Sequence, residues 1–273
     1  MIIDAHQHFW QIARADYGWL SPALEPLYRD FMPDDLAPHL SQHGIDATIL
    51  VQAAPTIAET EFLLEIADTT PFVLGVVGWV DFAAPTAAND IARLARNPKL
   101  VGLRPMIQDI SDDDWMLRPD IAPAFEALID ADLTFDALVL PRHLSQLRHL
   151  MSRLPNLRTV IDHGAKPNIS DGLFDEWAHD IAAIAQETGA YCKLSGLLTE
   201  AGDDWAPSDV APYVAHLLTQ FGPQRLVWGS DWPVLTIAAN YGAWVDLVHS
   251  LLPSEYSRAA IFGSNAVDLY HLK

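Results

Sequence analysis

Eight apolar runs, each followed by polar residues and separated by stretches of helical periodicity, constrain the fold of this chain more than any other feature. The runs are rich in Val, Ile and Leu, which favour buried strands. We predict eight strands, at residues 2–6, 47–51, 73–80, 100–104, 133–139, 159–163, 191–195 and 226–231.

The segments between these runs predict helices. Asp34 and Asp35 open one segment, and Gly44 ends it, as expected at helix termini. In the segment 59–68, Phe62, Leu63 and Ile66 share one face. Similar patterns occur at residues 121–131, 143–154, 173–188, 210–221 and 241–251.

Alternating strands and helices, with strands apolar on both faces, predict an α/β fold with a parallel sheet covered by helices. Eight strands favour closure into a (β/α)8 TIM barrel, and residues 1–273 then form a single barrel domain. An open parallel sheet is the alternative if the strands are miscounted. The glycine fingerprint of a Rossmann fold and a phosphate-binding loop are both absent from the sequence.

The composition excludes several classes of partner. Lys and Arg total 16 against 36 Asp and Glu, and the resulting net charge of −20 repels nucleic acid and anionic lipid. No apolar run has the length of a transmembrane helix, and the N-terminus lacks the basic region of a signal peptide. We therefore expect a cytoplasmic protein without a nucleic-acid or membrane partner. The single cysteine, Cys192, excludes an internal disulfide.

Ionisable residues cluster at the carboxyl ends of the predicted strands. In a barrel these ends converge on one face, where active sites lie, so we expect a shared site there. The residues are His6, His8, Arg104, Asp136, His163, Lys193 and Asp231.

His6 and His8 stand one residue apart at the end of the first run. Residues i and i+2 of a strand point to the same side, so both imidazoles can reach one metal ion or one substrate oxygen. Asp231 ends the last run between two tryptophans, and we expect this apolar surrounding to disfavour its charged form, as proton exchange near neutral pH requires. An Asp that caps the following turn is the alternative.

The other candidates allow two interpretations. Asp136 interrupts a core strand and needs a partner, for which Arg104 and Lys193 are available, either as a structural ion pair or as substrate-binding groups. Asp162 should point away from His163 and be structural. The tryptophans near loops, Trp19 and Trp232 among them, favour packing, although such rings also stack on sugars.

Together these features resemble the amidohydrolase superfamily, and within it the sugar-lactone hydrolase branch that includes fuconolactonases and rhamnonolactonases. The resemblance covers essentially the whole chain. It rests on the strings at residues 3–10 (IDAHQHFW), 102–105 (GLRP), 162–167 (DHGAKP), 193–196 (KLSG), 229–233 (GSDWP) and 263–266 (GSNA).

The resemblance implies catalytic roles for His6, His8 and His163, and it makes Asp231 the carboxylate that activates water. Two-metal members carry a metal-bridging residue and a histidine where this chain has Arg104 and Asp136. An arginine stays protonated and cannot bind a cation, so we expect no two-metal centre.

The expected cofactor is therefore one divalent ion, Zn²⁺ or Mn²⁺, held by His6, His8 and Asp231, or none. The predicted substrate-binding residues are Arg104, Asp136, Lys193 and Trp232. The predicted activity is hydrolysis of a small-molecule sugar-acid lactone by a monomer or homodimer. The alternatives are a metal-dependent decarboxylase of an unsaturated acid and an inactive sugar-binding barrel.

Overall fold

All eight predicted strands are present, and each pairs in parallel with the next in sequence order. The structure is a computed structural model that describes residues 1–252 and 254–272. The strands are β1 (Ile3–Gln7), β2 (Ala47–Val51), β3 (Val73–Gly78), β4 (Leu100–Leu103), β5 (Thr134–Ala137), β6 (Thr159–Ile161), β7 (Tyr191–Leu194) and β8 (Leu226–Trp228).

Helices surround the strands and connect them. Within the described ranges, no helix is long and apolar enough to cross a membrane. The helices are α1 (Pro33–His43), α2 (Ile57–Thr69), α3 (Ala87–Leu94), α4 (Ala122–Asp130), α5 (Leu144–Arg153), α6 (Asp175–Glu187), α7 (Pro207–Phe221), α8 (Tyr241–Leu251), α9 (Glu255–Ala259) and α10 (Asn265–Tyr270). The sequence patterns did not predict α3, α9 or α10.

The first and last strands meet and close the barrel. Gln7 pairs in parallel with Trp232. The backbone N–H of Asp231 donates to the carbonyl of His6 at 2.8 Å, and that of His8 donates to Trp232 at 2.7 Å. The predicted (β/α)8 TIM barrel is therefore confirmed.

Six strands, β3 to β8, end earlier than the sequence predicts. β6 stops at Ile161 and β8 at Trp228, because the chain leaves the extended conformation soon afterwards. His163 has φ of 54° and Asp231 has φ of 58°, in the left-handed region that residues other than glycine seldom adopt. Both candidate residues therefore lie in tight turns and not within the strands.

Buried charges fill the barrel interior beneath these turns. The Lys193 ammonium lies 2.5 Å from Asp136 and 2.9 Å from Asp162, and Arg104 lies 3.4 Å from Asp162. The Tyr270 hydroxyl, from the unpredicted helix α10, donates to Asp136 at 2.7 Å. Every one of these side chains is buried, so each charge depends on its partners for stability.

The two carboxyl groups of this interior differ in their pKa. Burial raises the pKa of Asp136 to about 6, although Lys193 opposes the shift. Burial also acts on Asp162, but Lys193 and His6 outweigh it and hold its pKa well below the usual range. Both carboxyl groups are therefore mostly ionised at neutral pH, and Asp162 keeps its charge to a lower pH than Asp136 does.

Gly78 tests the packing between β3 and α2. A Cβ added at Gly78 would lie 2.9 Å from Thr60 Oγ1. This hydroxyl cannot move away easily, because it donates to the backbone carbonyl of Trp79 and accepts from its backbone N–H. We expect Gly78→Ala to lower the free energy of unfolding by about 1–3 kcal/mol, measured by urea denaturation. Gly189→Ala is the control, since no atom lies within 4 Å of its Cβ position. Equal stability of the two variants would contradict the close packing of Gly78 in β3 against Thr60 in α2.

Lys193→Met tests the buried charges. The change leaves Asp136 without its cation, and we expect a loss of about 3–5 kcal/mol in the free energy of unfolding. Adding Asp136→Asn to the same chain removes the unpaired charge and should restore at least half of that loss. A double variant as unstable as Lys193→Met would show that lost packing, and not charge, causes the effect.

Candidate functional site

A cavity of about 230 Å³ opens at the carboxyl ends of the strands. Four of the predicted site residues, His8, Arg104, His163 and Asp231, line it. They follow β1, β4, β6 and β8, so the barrel brings together residues that are remote in sequence.

The chain around Asp231 is held against β1. A Cβ on Gly229 would lie 2.5 Å from the Cβ of His6 and 3.0 Å from its backbone nitrogen, so glycine alone allows this approach. Asp231 itself has a left-handed backbone, which costs about 1–3 kcal/mol and persists where the surroundings impose it. Such strain is typical of functional positions.

Asp4 fixes the same turn from within β1. Its Oδ1 accepts the backbone N–H of Ser230 at 2.8 Å and that of His6 at 3.2 Å, and its Oδ2 accepts the Tyr241 hydroxyl at 2.9 Å. Burial raises the pKa of Asp4 to about 6. The sequence analysis did not single out Asp4, whose partners Ser230 and Tyr241 come from the turn after β8 and from α8.

Three imidazoles surround one oxygen of Asp231. The Oδ1 atom lies 3.2 Å from His8 Nε2, 3.6 Å from His6 Nε2 and 4.0 Å from His163 Nε2. The ring of His6 lies 4.9 Å from that of His8 and 4.6 Å from that of His163. The four side chains are buried or nearly so, which strengthens their electrostatic interactions.

The hydrogen bond of His8 to the backbone shows which of its ring nitrogens carries a hydrogen. His8 Nδ1 lies 2.8 Å from the carbonyl oxygen of Val51, which only accepts, so Nδ1 carries a hydrogen. In the neutral ring, Nε2 then presents a lone pair to the Asp231 carboxylate at 3.2 Å. Two acceptors at this distance require a shared proton or a cation between them. In the turn after β6, His163 Nδ1 and the Ser195 hydroxyl form a hydrogen bond of 2.8 Å, which leaves His163 Nε2 towards Asp231.

The pKa of Asp231 shifts in the direction opposite to the one expected from its tryptophan neighbours. Burial would raise this pKa, but the charge of His163 and the hydrogen bond of His8 outweigh burial and lower it below its usual value. Burial lowers the pKa of His163 to about 4 and, together with Lys193, that of His6 well below its usual value. Asp231 is therefore ionised at neutral pH, and the expectation of a disfavoured charge was wrong.

The structure separates the four predicted substrate-binding residues. Arg104 lies on the cavity wall, with its Nη1 3.3 Å from His6 Nε2. Asp136 and Lys193 lie below the wall as a fully buried ion pair. Of the two interpretations that the sequence allowed, the geometry favours a structural ion pair over substrate-binding groups. Trp232 is 2% exposed and packs edge-on against Phe31, so its ring faces the aromatic core and not the cavity.

Asp162 does not point away from His163 as predicted. Its Oδ1 lies 3.7 Å from His6 Nδ1 and 2.9 Å from Lys193, inside the barrel. The prediction assumed strand alternation, which no longer applies once β6 has ended at Ile161.

Nine of the thirteen lining residues were not among the predicted site residues, and three of these nine are Trp19, Lys166 and Gln108. Trp19 reaches the wall from the long connection after β1, and its indole N–H donates to the Ala53 carbonyl at 2.8 Å. Lys166 and Gln108 also line the cavity and contact each other at 3.2 Å. The string at residues 162–167 contains Lys166, which was the available signal for it.

His6, His163 and Asp231 can supply a metal-binding set. One donor atom from each residue lies within 4.8 Å of the others. Two imidazoles and a carboxylate suit Zn²⁺, and the Nδ1 contact of His163 is the supporting bond that metal-binding histidines usually have. The predicted set named His8 in place of His163. The cation of Arg104 beside His6 disfavours a second metal ion.

The chain resembles known proteins over its full length. The sequence pattern of the Amidohydrolase family matches residues 3–272. An L-fucono-1,5-lactonase of Burkholderia ambifaria is 46% identical over 276 residues, covering 99% of this chain and 95% of that protein. An L-fucono-1,5-lactonase of Burkholderia multivorans is 37% identical over 286 residues, covering 99% and 96%.

A solved structure of an amidohydrolase is also similar to this chain over its full length. The crystal structure of an amidohydrolase from Burkholderia multivorans with bound zinc is 36% identical, with a TM-score of 0.94 and coverage of 100% of both chains. These similarities confirm the resemblance that the sequence strings indicated. Since the family pattern extends over almost every residue and the barrel is shared, this chain belongs to the amidohydrolase family.

Proposed function

We propose that this protein hydrolyses the lactone of a sugar acid to the open acid. The observation that carries the proposal is the position of Asp231, which lines a cavity of about 230 Å³ and whose Oδ1 lies 3.2–4.0 Å from three imidazoles. That volume lies below the range of about 300–1,000 Å³ that holds drug-sized ligands, and it suits one monosaccharide ring. The L-fucono-1,5-lactonase that is 46% identical to this chain supports the same chemistry.

In this mechanism Asp231 accepts a proton from water, whose oxygen attacks the lactone carbonyl carbon. His163 and Arg104 face the cavity and stabilise the negative charge that develops on the carbonyl oxygen. Arg104 Nη1 lies 3.3 Å from His6 Nε2, which places the guanidinium charge next to the imidazoles at the cavity wall. The carbon–ring oxygen bond then breaks, and Asp231 returns its proton to the departing oxygen.

A divalent ion fits the same residues. His6, His163 and Asp231 would hold it, with His8 at the edge of the set through its contact with Asp231. Such an ion lowers the pKa of bound water and polarises a carbonyl. The zinc in the Burkholderia multivorans structure favours Zn²⁺ as the first ion to test.

The remaining parts of the proposal concern partners. The substrate is a small neutral lactone, and the charge of −20 disfavours association with nucleic acid or anionic membranes. We propose a cytoplasmic monomer or homodimer. Sedimentation velocity tests the oligomeric state directly.

The proposed activity can be tested with a panel of aldonolactones and a pH indicator. Ring opening yields a carboxylic acid that releases a proton, so hydrolysis acidifies the solution. Carbon dioxide release from an unsaturated acid would instead indicate a decarboxylase. Binding of lactones without acidification would indicate an inactive sugar-binding barrel.

Asp231→Asn should lower kcat by about 10²–10⁴-fold, because the amide cannot accept the proton of water. Asparagine tolerates the left-handed backbone at this position, so circular dichroism should remain unchanged. The control is Asp246→Asn on the exposed face of α8, which should keep the original rate. Lactone hydrolysis by Asp231→Asn at a rate close to that of the original chain would refute the role of this residue.

Zinc binding should also depend on the cavity residues. After treatment with a chelator, we expect calorimetric titration to detect one Zn²⁺ per chain, and His163→Ala to weaken binding by at least about tenfold. His179→Ala removes an exposed imidazole from α6 and should leave the affinity unchanged. If both variants bind Zn²⁺ as tightly as the original chain, the proposed ligand set is wrong.

A further inference from the structure

The turn after β6 has an unusual backbone. Four consecutive residues are left-handed, with φ of 54° at His163, 58° at Gly164, 62° at Ala165 and 51° at Lys166. The backbone N–H of Lys166 donates to the carbonyl of His163 at 2.8 Å, which closes a single turn. Three of the four residues carry a Cβ, so the surrounding structure must compensate the conformational cost.

This turn places two side chains on one face. A turn closed by an i to i+3 hydrogen bond has about three residues per turn, so its first and fourth side chains align. His163 and Lys166 therefore both line the cavity.

Two side chains hold the Lys166 ammonium. Its Nζ donates to Gln108 Oε1 at 3.2 Å and lies 3.1 Å from Glu200 Oε1. Gln108 is itself fixed, because its backbone N–H donates to the Leu138 carbonyl at 3.0 Å. An ammonium has three N–H donors, and the described part of the chain supplies two partners. One donor remains for a ligand in the cavity.

Glu200 also determines which ligand suits this group. The Lys166 side chain is 25% exposed and that of Glu200 is 24% exposed, and at 3.1 Å their opposite charges largely neutralise each other beside the cavity wall that Lys166 lines. A neutralised pair offers donors and an acceptor without net charge. Hydroxyl groups both donate and accept, so a polyhydroxylated ring matches this pair better than a second carboxylate does.

We propose that Lys166, held by Gln108 and Glu200, is a specificity-determining residue that binds the ring hydroxyls of a neutral polyhydroxylated lactone. This inference rests on the proposed lactonase function and extends it from the acyl centre to the rest of the substrate. The reacting carbonyl lies at Asp231 and His163, and the hydroxylated carbons of the ring lie towards Lys166.

The test compares two lactones that share a ring. One is the aldono-1,5-lactone that the original chain hydrolyses fastest, and the other is δ-valerolactone, which lacks hydroxyls. Lys166→Met keeps the length of the side chain and removes its donors. The measured quantity is kcat/KM for the aldonolactone divided by kcat/KM for δ-valerolactone. We expect this ratio to fall roughly 10- to 100-fold in Lys166→Met, mainly through a higher KM for the aldonolactone, because a hydrogen bond from a charged donor is lost.

The control is Lys99→Met, because Lys99 bonds the Val73 carbonyl away from the cavity, and its ratio should equal that of the original chain. An unchanged ratio in Lys166→Met, or no preference of the original chain for the hydroxylated ring, would overturn the inference. An original chain that hydrolyses no lactone would instead refute the proposed function.

A second variant tests the neutralising role of Glu200 and remains informative if Lys166→Met does not fold. Glu200→Gln leaves the Lys166 charge uncompensated. We expect the inhibition constant of a lactone that bears a carboxylate to fall by about tenfold relative to that of the product aldonate, because the uncompensated Lys166 attracts the added carboxylate. No change, or weaker inhibition, would contradict the neutralisation by Glu200.

Discussion

The closure of the barrel between β1 and β8 is the interaction on which the candidate site depends. The hydrogen bonds that join the ends of these strands come from the backbone of Asp231 and His8, so the closure of the barrel also brings together two residues of the cavity wall. His8 and Asp231 are 223 residues apart in the chain. In an open sheet the two strands would be its opposite edges, and these side chains could not meet.

The buried charges beneath the seam orient His6. Lys193 Nζ lies 3.2 Å from its Nδ1, and Arg104 Nη1 lies 3.3 Å from its Nε2, so each ring nitrogen faces a cation. Both cations are balanced by Asp162, whose pKa is held low. The network is costly to bury, and its contacts to both ring nitrogens set the position of the imidazole.

The sequence determined the fold, and it named several of the residues that converge at the candidate site. Eight apolar runs with polar ends predicted the barrel, and the strand alternation at His6 and His8 correctly placed both imidazoles on one side. Period-2 reasoning failed only where the strand ended, at Asp162, because local turns and not the strand then decide where a side chain points. Asp4 and Tyr270 were missed because their partners come from remote segments.

Only the tertiary structure decided the electrostatics and the cavity wall. The tryptophans adjacent to Asp231 in sequence indicated a disfavoured charge, yet the imidazoles adjacent in space lower its pKa. Likewise, Trp19 reaches the cavity while Trp232 packs into the core. A hydrophobic pattern records which residues are buried, whereas a pKa and a cavity wall depend on distances through space that no local pattern encodes.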